Sequence, residues 1–205
     1  QRQMCIRDRF YILSILLVQQ TFAQSIPKSS RPEKCWALFH PFVAKKAYRI
    51  TVEAYETAKQ VAQDKMLDGD GNGGQADAFR HAYWMALLSQ KIKPNKARKL
   101  GKAHEKGNYI FFKKGRLEEG TPPDSMACVM DLYNNEVGIG IGQQNKKISK
   151  EELKQIVLRY IFQRNMRILK KDPQGNFLDC SGKIIDPAAY NGKWNIPKCL
   201  TESAK

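Results

Sequence analysis

The apolar residues in the first half of the chain recur mostly at intervals of three and four, which is the period of an amphipathic helix. This spacing predicts a helix over about 35–65, which Pro41 breaks or opens. The segment 68–74, DGDGNGG, is a predicted loop, and a second helix over about 75–90 and a third over about 96–106 follow it. The first half is therefore expected to be helical.

The second half starts with a long connection, 107–123, that is rich in glycine and proline. Asp124 is suited to cap the next helix, and GIGIG at 138–142 is expected to end it, because glycine commonly terminates helices. The sequence SKEE at 149–152 has the pattern of a capping box and predicts a last long helix that reaches about Lys171. These signals add two helices to the three of the first half.

The predicted elements indicate a mainly α fold with about five helices around one core. A length of 205 residues is enough for one domain with a sizeable core, and no internal repeat or linker divides it. We expect a leader over 24–34, a helical domain over 35–171 and a disulfide-containing tail over 172–205. The tail is expected to be irregular or to form a short β-hairpin.

The N-terminal region has the pattern of a secretory signal peptide. An unbroken apolar run at 10–18, FYILSILLV, follows two arginines and precedes small residues before a cut after Ala23. Residues 1–23 are therefore interpreted as a signal peptide, with a buried core helix as the alternative, and residues 1–9 as an artefact of sequence assembly. The mature chain is expected to be secreted or periplasmic. The run is too short to span a bilayer, so no transmembrane segment is expected in the mature chain.

The chain is strongly basic, with 35 lysines and arginines against 20 acidic residues and a net charge of +15. Removing 1–23, which holds three arginines and one aspartate, leaves +13. Such a balance favours anionic partners such as nucleic acid, phospholipid headgroups or acidic polymers. A solvated helix surface is the alternative, since many lysines fall on predicted helices. The mature chain is expected to be a monomer.

Four cysteines lie after the predicted signal peptide, and an exported chain with an even number of cysteines permits disulfides. Four cysteines allow three pairings. Cys180 with Cys199 is the preferred pair because it would close a tail rich in turn residues, and Cys35 with Cys128 then follows by elimination. Cys128 is alternatively a buried thiol, a soft metal ligand or a nucleophile near His104.

Three predicted helices carry polar residues at positions that face inward, which is the main signal for chemistry. Asp77 and His81 are four residues apart, as are Asp131 and Asn135, and His104 with Glu105 lies on the helix between them. Carboxylates and imidazoles that converge from separate helices suit zinc or manganese, and an open position would hold an activated water. The predicted ligands are Asp77, His81, His104 and Asp131.

The same pattern suggests roles for the neighbouring residues. Glu105 is the candidate general base for a bound water, and Arg80 or Asn135 would orient an anionic substrate. The sequence thus indicates a metal-assisted hydrolase of a phosphodiester or phospholipid. The alternative is a non-catalytic secreted domain, in which the polar cluster is a buried hydrogen-bond network and the basic surface binds a partner.

The predicted loop at 68–74 resembles the start of a calcium-binding loop. Asp68, Asp70 and Asn72 have the spacing of the first three ligands, but Phe79 stands where such loops have a glutamate. This is not an EF-hand, and a plain turn that launches the next helix is the alternative to a calcium site.

Three blocks, DAFRHAYWMALL, AHEKGN and MDLYNNEVG, stand in that order between residues 66 and 145. Together they resemble an uncharacterised bacterial domain family. That family occurs in small exported proteins and at the C-terminal ends of Rhs-like and wall-associated polymorphic-toxin-like proteins. The resemblance implies a toxin-like or hydrolase-like role, and it covers the candidate site residues already named, together with Trp84 and Asn134.

Overall fold

The computed structural model describes residues 29–64, 66–118 and 120–203, so the predicted signal peptide at 1–23 and residues 24–28 of the leader lie outside the described residues. The described part is mainly α-helical, which confirms the predicted fold class, although it has six helices where about five were expected. The helices are α1 Arg31–Phe39, α2 Pro41–Gln63, α3 Gln75–Lys91, α4 Pro94–Lys113, α5 Ser125–Gln144 and α6 Lys150–Phe162. Two short strands follow, β1 Arg167–Leu169 and β2 Leu200–Glu202.

The predicted first helix is divided at His40, where Pro41 opens α2. α1 starts at Arg31, within the predicted leader, because Ser30 and Glu33 form a capping box there. The predicted loop at 68–74 and the helix after it are present as expected.

Helix α3 is the centre of the core and is buried on nearly all of its faces, against α2, α4, α5 and α6. Its closest neighbour is α5, and two glycines allow the approach. A Cβ on Gly138 would lie 2.1 Å from the carbonyl oxygen of Ala82, and one on Gly142 would lie 2.2 Å from that of Ala86. The predicted helix end at GIGIG is therefore wrong, since these glycines are the contact surface of a helix that continues to Gln144.

Helix α4 is longer than predicted and continues through residues 107–113, which were expected to belong to a loop. Tyr109 and Phe112 on this extra turn pack against Trp194 of the tail, with ring centroids 5.0 and 5.1 Å apart. Contacts from a distant segment thus stabilise a helix that its glycines alone would disfavour.

Helix α6 ends at Phe162, well before the predicted end near Lys171. Arg164 takes a φ of 63°, and the chain then turns into β1, which pairs antiparallel with β2. Met166, just before this strand, and Leu169, at its end, are buried, and the sequence pattern had assigned this region to the helix. The predicted last helix is therefore too long.

Two of the four cysteines among the described residues are bonded to each other, and both belong to the tail. Cys180 and Cys199 form a disulfide, which confirms the preferred pair. The pairing of Cys35 with Cys128 is wrong, because both are free thiols, the first exposed and the second buried. Among the described residues, no helix has the length and apolar character needed to cross a bilayer.

Replacing both Cys180 and Cys199 with serine is expected to lower the free energy of unfolding by about 3 kcal/mol. The disulfide joins residues 19 apart in sequence, and a loop of this size loses about that much chain entropy in the unfolded state when it is closed. Urea unfolding measures the difference. Cys35→Ser is the matched control and should leave the unfolding midpoint unchanged, because this thiol is exposed and unbonded. An equal stability of the double variant and the wild type would contradict the expectation.

Candidate metal site

Asp77, His81 and Asp131 meet in the contact between α3 and α5. One ligand atom from each lies within 4.8 Å of the other two, and all three residues are buried. The Nε2 atom of His81 is 3.5 Å from Oδ1 of Asp77 and 3.4 Å from Oδ1 of Asp131. These three residues are called the metal group below. Two carboxylates and one imidazole are a ligand set that zinc and manganese accept.

Two features of the fold bring the metal group together. The i, i+4 spacing places Asp77 and His81 on one face of α3, and Gly138 and Gly142 let α5 approach that face closely enough to bring Asp131 beside them. The backbone N–H of Gly73 also donates a hydrogen bond to Oδ2 of Asp77 over 2.7 Å, which fixes the orientation of this carboxylate.

Arg80 forms the rim of the metal group. Its Nη2 atom lies 2.6 Å from Oδ1 of Asp77 and 3.4 Å from Nε2 of His81, and its side chain is partly exposed. The guanidinium therefore places a positive charge between the solvent and the buried Asp77 carboxylate. This position fits its predicted role of orienting an anionic substrate.

His81 is held as a neutral imidazole. Burial lowers its pKa well below the ordinary value, the positive charges of Arg80 and His104 lower it further, and only a hydrogen bond with Asn135 opposes them. A neutral imidazole is the form that binds a metal ion. Burial and the neighbouring positive charges thus favour the form of His81 that can bind a metal ion.

Asp131 lies among several other carboxylates. Burial raises its pKa well above the ordinary value, and the charges of Asp77, Glu105 and Glu118 raise it further, against the opposing charge of Arg80. Its Oδ1 atom makes no hydrogen bond to any described residue, although it is fully buried. A buried carboxylate oxygen with no donor is costly, and a cation beside it would remove that cost.

Glu105 lies in the same acidic neighbourhood, on α4. Burial raises its pKa to about 7; the charge of Glu118 adds to this, and His104, Cys128 and Asn108 oppose it. Asn108 donates a hydrogen bond to its Oε2 atom over 3.1 Å, and its Oε1 atom makes no hydrogen bond to the residues described. A carboxylate poised near neutral pH is suited to general base chemistry.

His104 lies next to the metal group, but its nitrogens point to other partners. Nδ1 is 3.1 Å from Glu33 and Nε2 is 3.2 Å from Glu118. Its ring centroid is 6.0 Å from that of His81. Burial alone would lower the pKa of His104, but the hydrogen bonds to Glu118 and Glu33 and the charge of Glu105 outweigh it and raise the pKa well above the ordinary value. His104 therefore forms ion pairs with Glu33 and Glu118 and is not grouped with the other three predicted ligands.

The neighbouring polar residues have structural contacts. Asn135 is buried against His81 and against Gly101 of α4, so its position suits holding the imidazole better than touching a substrate. Asn134 donates to the carbonyl of Arg167 and accepts from its N–H, at 2.9 and 3.0 Å, which fixes β1 to α5. Cys128 is a buried thiol whose pKa is raised by burial and by Glu105, so the nucleophile interpretation gains no support.

The calcium hypothesis also gains no support from the geometry of the loop at 68–74. Asp68 accepts hydrogen bonds from the N–H groups of Gln75 and Ala76 and thus caps α3. Asp70 forms an ion pair with Lys171, whose Nζ atom also donates to the carbonyl of Asn72 over 2.7 Å. The Asp68 and Asp70 carboxylates are therefore already engaged, the first by backbone N–H groups and the second by an ammonium group.

Two cavities meet beside the metal group. The smaller, of about 320 Å³, is polar, and Asp77 and Asp131 lie on its wall together with the loop at 69–72. The larger, of about 480 Å³, runs between α1, α2, α3 and α4 and is mostly apolar, with His81 on its wall. Arg80 and Glu118 line both cavities and lie between them. The metal group therefore borders the larger cavity through His81 and the smaller one through Asp77 and Asp131.

Sequence reasoning did not identify Glu33 and Glu118 as part of the site. Glu33 was visible only as a predicted leader residue, and Glu118 only as part of a predicted loop. No periodicity marks them, because Glu33 lies 71 residues from His104 and Glu118 lies in the connection after α4. The one available signal was the inward position of His104 itself, because a buried imidazole needs polar partners.

Replacing Glu33 with glutamine is expected to remove a pH-dependent contribution to stability. Burial opposes the charged form of Glu33, but the hydrogen bond and charge of His104, together with Ser30, lower its pKa to about 2. Because the folded pKa lies below the ordinary value of 4.5, this contribution is fully present above pH 4.5 and is lost as the pH falls to about 2. The shift corresponds to ~3 kcal/mol at neutral pH.

Urea unfolding of the wild type and Glu33→Gln across this pH range tests the expectation. The stability difference should be largest at neutral pH and should vanish near pH 2. Glu56→Gln, which changes an exposed glutamate of α2, is the control and should show no such dependence. A difference between wild type and Glu33→Gln that stays constant with pH would contradict the ion pair.

The model of a protein family described as "Domain of unknown function (DUF6973)" matches residues 34–165. This range includes the whole metal group, Glu105 and His104, and it ends just before β1. No curated protein and no solved structure matches the chain. The expected membership of an uncharacterised domain family is confirmed, and the bacterial and toxin-like setting stays a prediction.

Proposed function

The chain belongs to this family of domains of unknown function, DUF6973, and we propose that it is a metal-assisted hydrolase of an anionic substrate whose divalent ion is bound by Asp77, His81 and Asp131. The observation that carries the proposal is the buried convergence of three ligand atoms within 4.8 Å, one of which, Oδ1 of Asp131, has no hydrogen-bond donor among the described residues. Three protein ligands are typical of catalytic sites, where the remaining positions hold water or substrate.

The alternative, a purely structural network, fits the metal group less well. A structural network is expected to satisfy its buried polar atoms, since each unsatisfied atom costs free energy. Here the buried carboxylate oxygens Asp131 Oδ1 and Glu105 Oε1 make no hydrogen bond to described residues. Two such oxygens beside the metal group favour a bound cation over a self-contained network.

The chain supplies the groups that hydrolysis needs around the ion. A bound divalent ion would polarise the substrate and lower the pKa of its water. In the hydrolysis of a phosphodiester, the water oxygen forms a bond to phosphorus and the bond to the leaving oxygen breaks. Glu105 takes the proton from the water and returns it to the leaving alkoxide, which leaves the carboxylate as it started. Arg80, at the rim, binds the anionic phosphate.

The setting proposed for this activity is outside the cytoplasm. The Cys180–Cys199 disulfide is typical of proteins from oxidising compartments, and the predicted signal peptide agrees with it. The net charge, +15 for the whole chain and +13 without residues 1–23, supports an anionic substrate or surface, through long-range attraction.

Replacing Glu105 with glutamine tests the proposed chemistry separately from metal binding. Metal-dependent hydrolysis of bis(4-nitrophenyl) phosphate should fall by about a hundredfold, because the general base is lost. The Kd for the ion should stay within about twofold, since Glu105 is not a proposed ligand. Asp64→Asn, at an exposed position at the end of α2, is the control and should keep both values. Unchanged turnover in Glu105→Gln, or no metal-dependent turnover in the wild type, would contradict the proposal.

A further inference from the structure

The larger cavity beside the metal group has the character of a site for an apolar chain. Its volume of about 480 Å³ lies in the range of ligand sites, and Trp36, Trp84 and Leu100 are among the side chains on its wall. The wall is mostly apolar but also carries polar groups, and among these Arg80 and His81 belong to the metal group or contact it. A ligand that fills both parts must have an apolar body and a polar or charged group that reaches the metal.

The corner between α1 and α2 exposes large apolar side chains to an unusual extent. Leu38 is 75% exposed, Phe39 is 78% exposed and Phe42 is fully exposed, so none of them contributes its side chain to the core. Adjacent residues of the same corner, Ala37 and Ala44, line the larger cavity. The exposed corner and the cavity wall are therefore two faces of the same segment.

The same corner is strongly basic. Between Arg31 and Arg49 the sequence has five lysines and arginines, all exposed, and one acidic residue, Glu33. Glu33 is paired with His104, so its charge is already compensated. Exposed leucine and phenylalanine surrounded by lysine and arginine are typical of segments that bind to the interface of anionic membranes.

We propose that the protein acts on anionic phospholipid at a membrane surface. The corner of Leu38, Phe39 and Phe42 inserts among the headgroups, and the larger cavity takes one acyl chain while the phosphate reaches Arg80. This inference rests on the proposed function for the chemistry, but the docking step depends only on the corner. Nucleic acid is less well suited to this surface, because the exposed side chains at its tip are aliphatic and phenyl groups and the cavity behind them is apolar.

Co-sedimentation of the full chain with vesicles tests the docking step. Wild-type protein is expected to bind vesicles of phosphatidylglycerol and phosphatidylcholine in equal parts, and L38S/F39S/F42S should lower the partition coefficient by at least about tenfold. V129S/F162S/I184S removes three exposed apolar residues far from the corner in sequence and should bind like the wild type. Equal binding of the corner variant and the wild type would overturn the proposal, as would an equal loss in both variants.

Tryptophan quenching tests whether a chain enters the cavity. Trp84 is only 7% exposed and lies on the cavity wall, so the variant W36F/W194F reports from inside the cavity with this tryptophan alone. Phosphatidylglycerol brominated in the middle of its chains should quench its fluorescence, whereas the unbrominated lipid should not. Bound vesicles that leave Trp84 unquenched would overturn the acyl-chain assignment.

Turnover separates failure of this inference from failure of the proposed function. The metal-loaded wild type should cleave phosphatidylglycerol in vesicles, and L38S/F39S/F42S should lose that activity by at least about tenfold while cleaving bis(4-nitrophenyl) phosphate as before. Cleavage of the soluble diester without any cleavage of lipid would overturn the inference and leave the proposed function standing. Vesicle binding that depends on the corner, in a protein that cleaves neither ester, would overturn both the hydrolase and its lipid substrate.

Discussion

Replacing Asp131 with asparagine is expected to weaken binding of a divalent ion by at least about a hundredfold and to abolish metal-dependent turnover. Asp131 supplies one of three ligand atoms, and an amide oxygen is a much poorer donor to a divalent transition metal than a carboxylate. In the absence of metal, the free energy of unfolding should be unchanged or higher. The variant removes a carboxyl group whose pKa is raised by burial and by three neighbouring carboxylates, so its ionised form is costly in the folded protein.

Isothermal titration of the metal-free protein with Zn²⁺ or Mn²⁺, together with thermal unfolding, measures both effects. Asp64→Asn is the matched control, because this aspartate is exposed and lines neither cavity. The combination of lost metal affinity and retained stability distinguishes a ligand from a structural residue. Loss of stability with metal affinity intact would assign Asp131 to a structural network and contradict the metal site.

Replacing Gly138 with alanine is expected to lower the free energy of unfolding by at least about 3 kcal/mol. The added methyl group would lie 2.1 Å from the carbonyl oxygen of Ala82, and the obstacle is backbone, which cannot rotate away. Relief requires α5 to move away from α3, which also displaces Asp131 from Asp77 and His81. The variant should therefore lose affinity for the ion as well as stability.

The chain offers a matched control within the same motif. Gly140 faces away from α3, and a Cβ at that position would meet nothing within 4 Å. Gly140→Ala should therefore stabilise the protein by about 0.5–1 kcal/mol, because alanine is the better helix former. Urea unfolding of the two variants gives opposite signs if the glycines form the helix contact. A similar effect of both substitutions would contradict that role.

The behaviour of GIGIG shows what sequence alone could not provide. Glycine ends a helix when it takes a left-handed conformation, and it permits close helix contacts when it stays helical. The sequence GIGIG is compatible with both roles. The choice depends on whether another helix lies opposite, which is a property of the tertiary fold. Ala82 and Ala86, four apart on α3, supply that partner at the spacing of Gly138 and Gly142.

The candidate site was predictable where its residues share one helix. Asp77 with His81 stood out through i, i+4 spacing and inward position, and Asp131 through the same pattern on a second helix. His104 was predicted from its inward position alone, and its partners are Glu33 and Glu118, which come from outside the helix and carry no periodic signal. Sequence periodicity thus identifies which side chains face inward but not which of them touch each other.

The end of helix α6 also could not be predicted from periodicity alone. Ile168 and Leu169 extend the apolar period of α6, so they were assigned to that helix. Pairing with β2 favours an extended backbone there, as do the two hydrogen bonds that Asn134 makes with the backbone of Arg167, one donated and one accepted, and both partners are distant in sequence. The disulfide was predictable because it depends on cysteine spacing and turn composition, which are local.

Metal content of the purified protein tests the central claim most directly. After removal of bound ions and dialysis against Zn²⁺ or Mn²⁺, the wild type is expected to retain one ion per chain, as measured by inductively coupled plasma mass spectrometry. His81→Ala should retain none, because it removes the ligand between the two carboxylates. A wild-type protein that retains no ion, or a His81→Ala variant that retains as much as the wild type, would contradict the metal site.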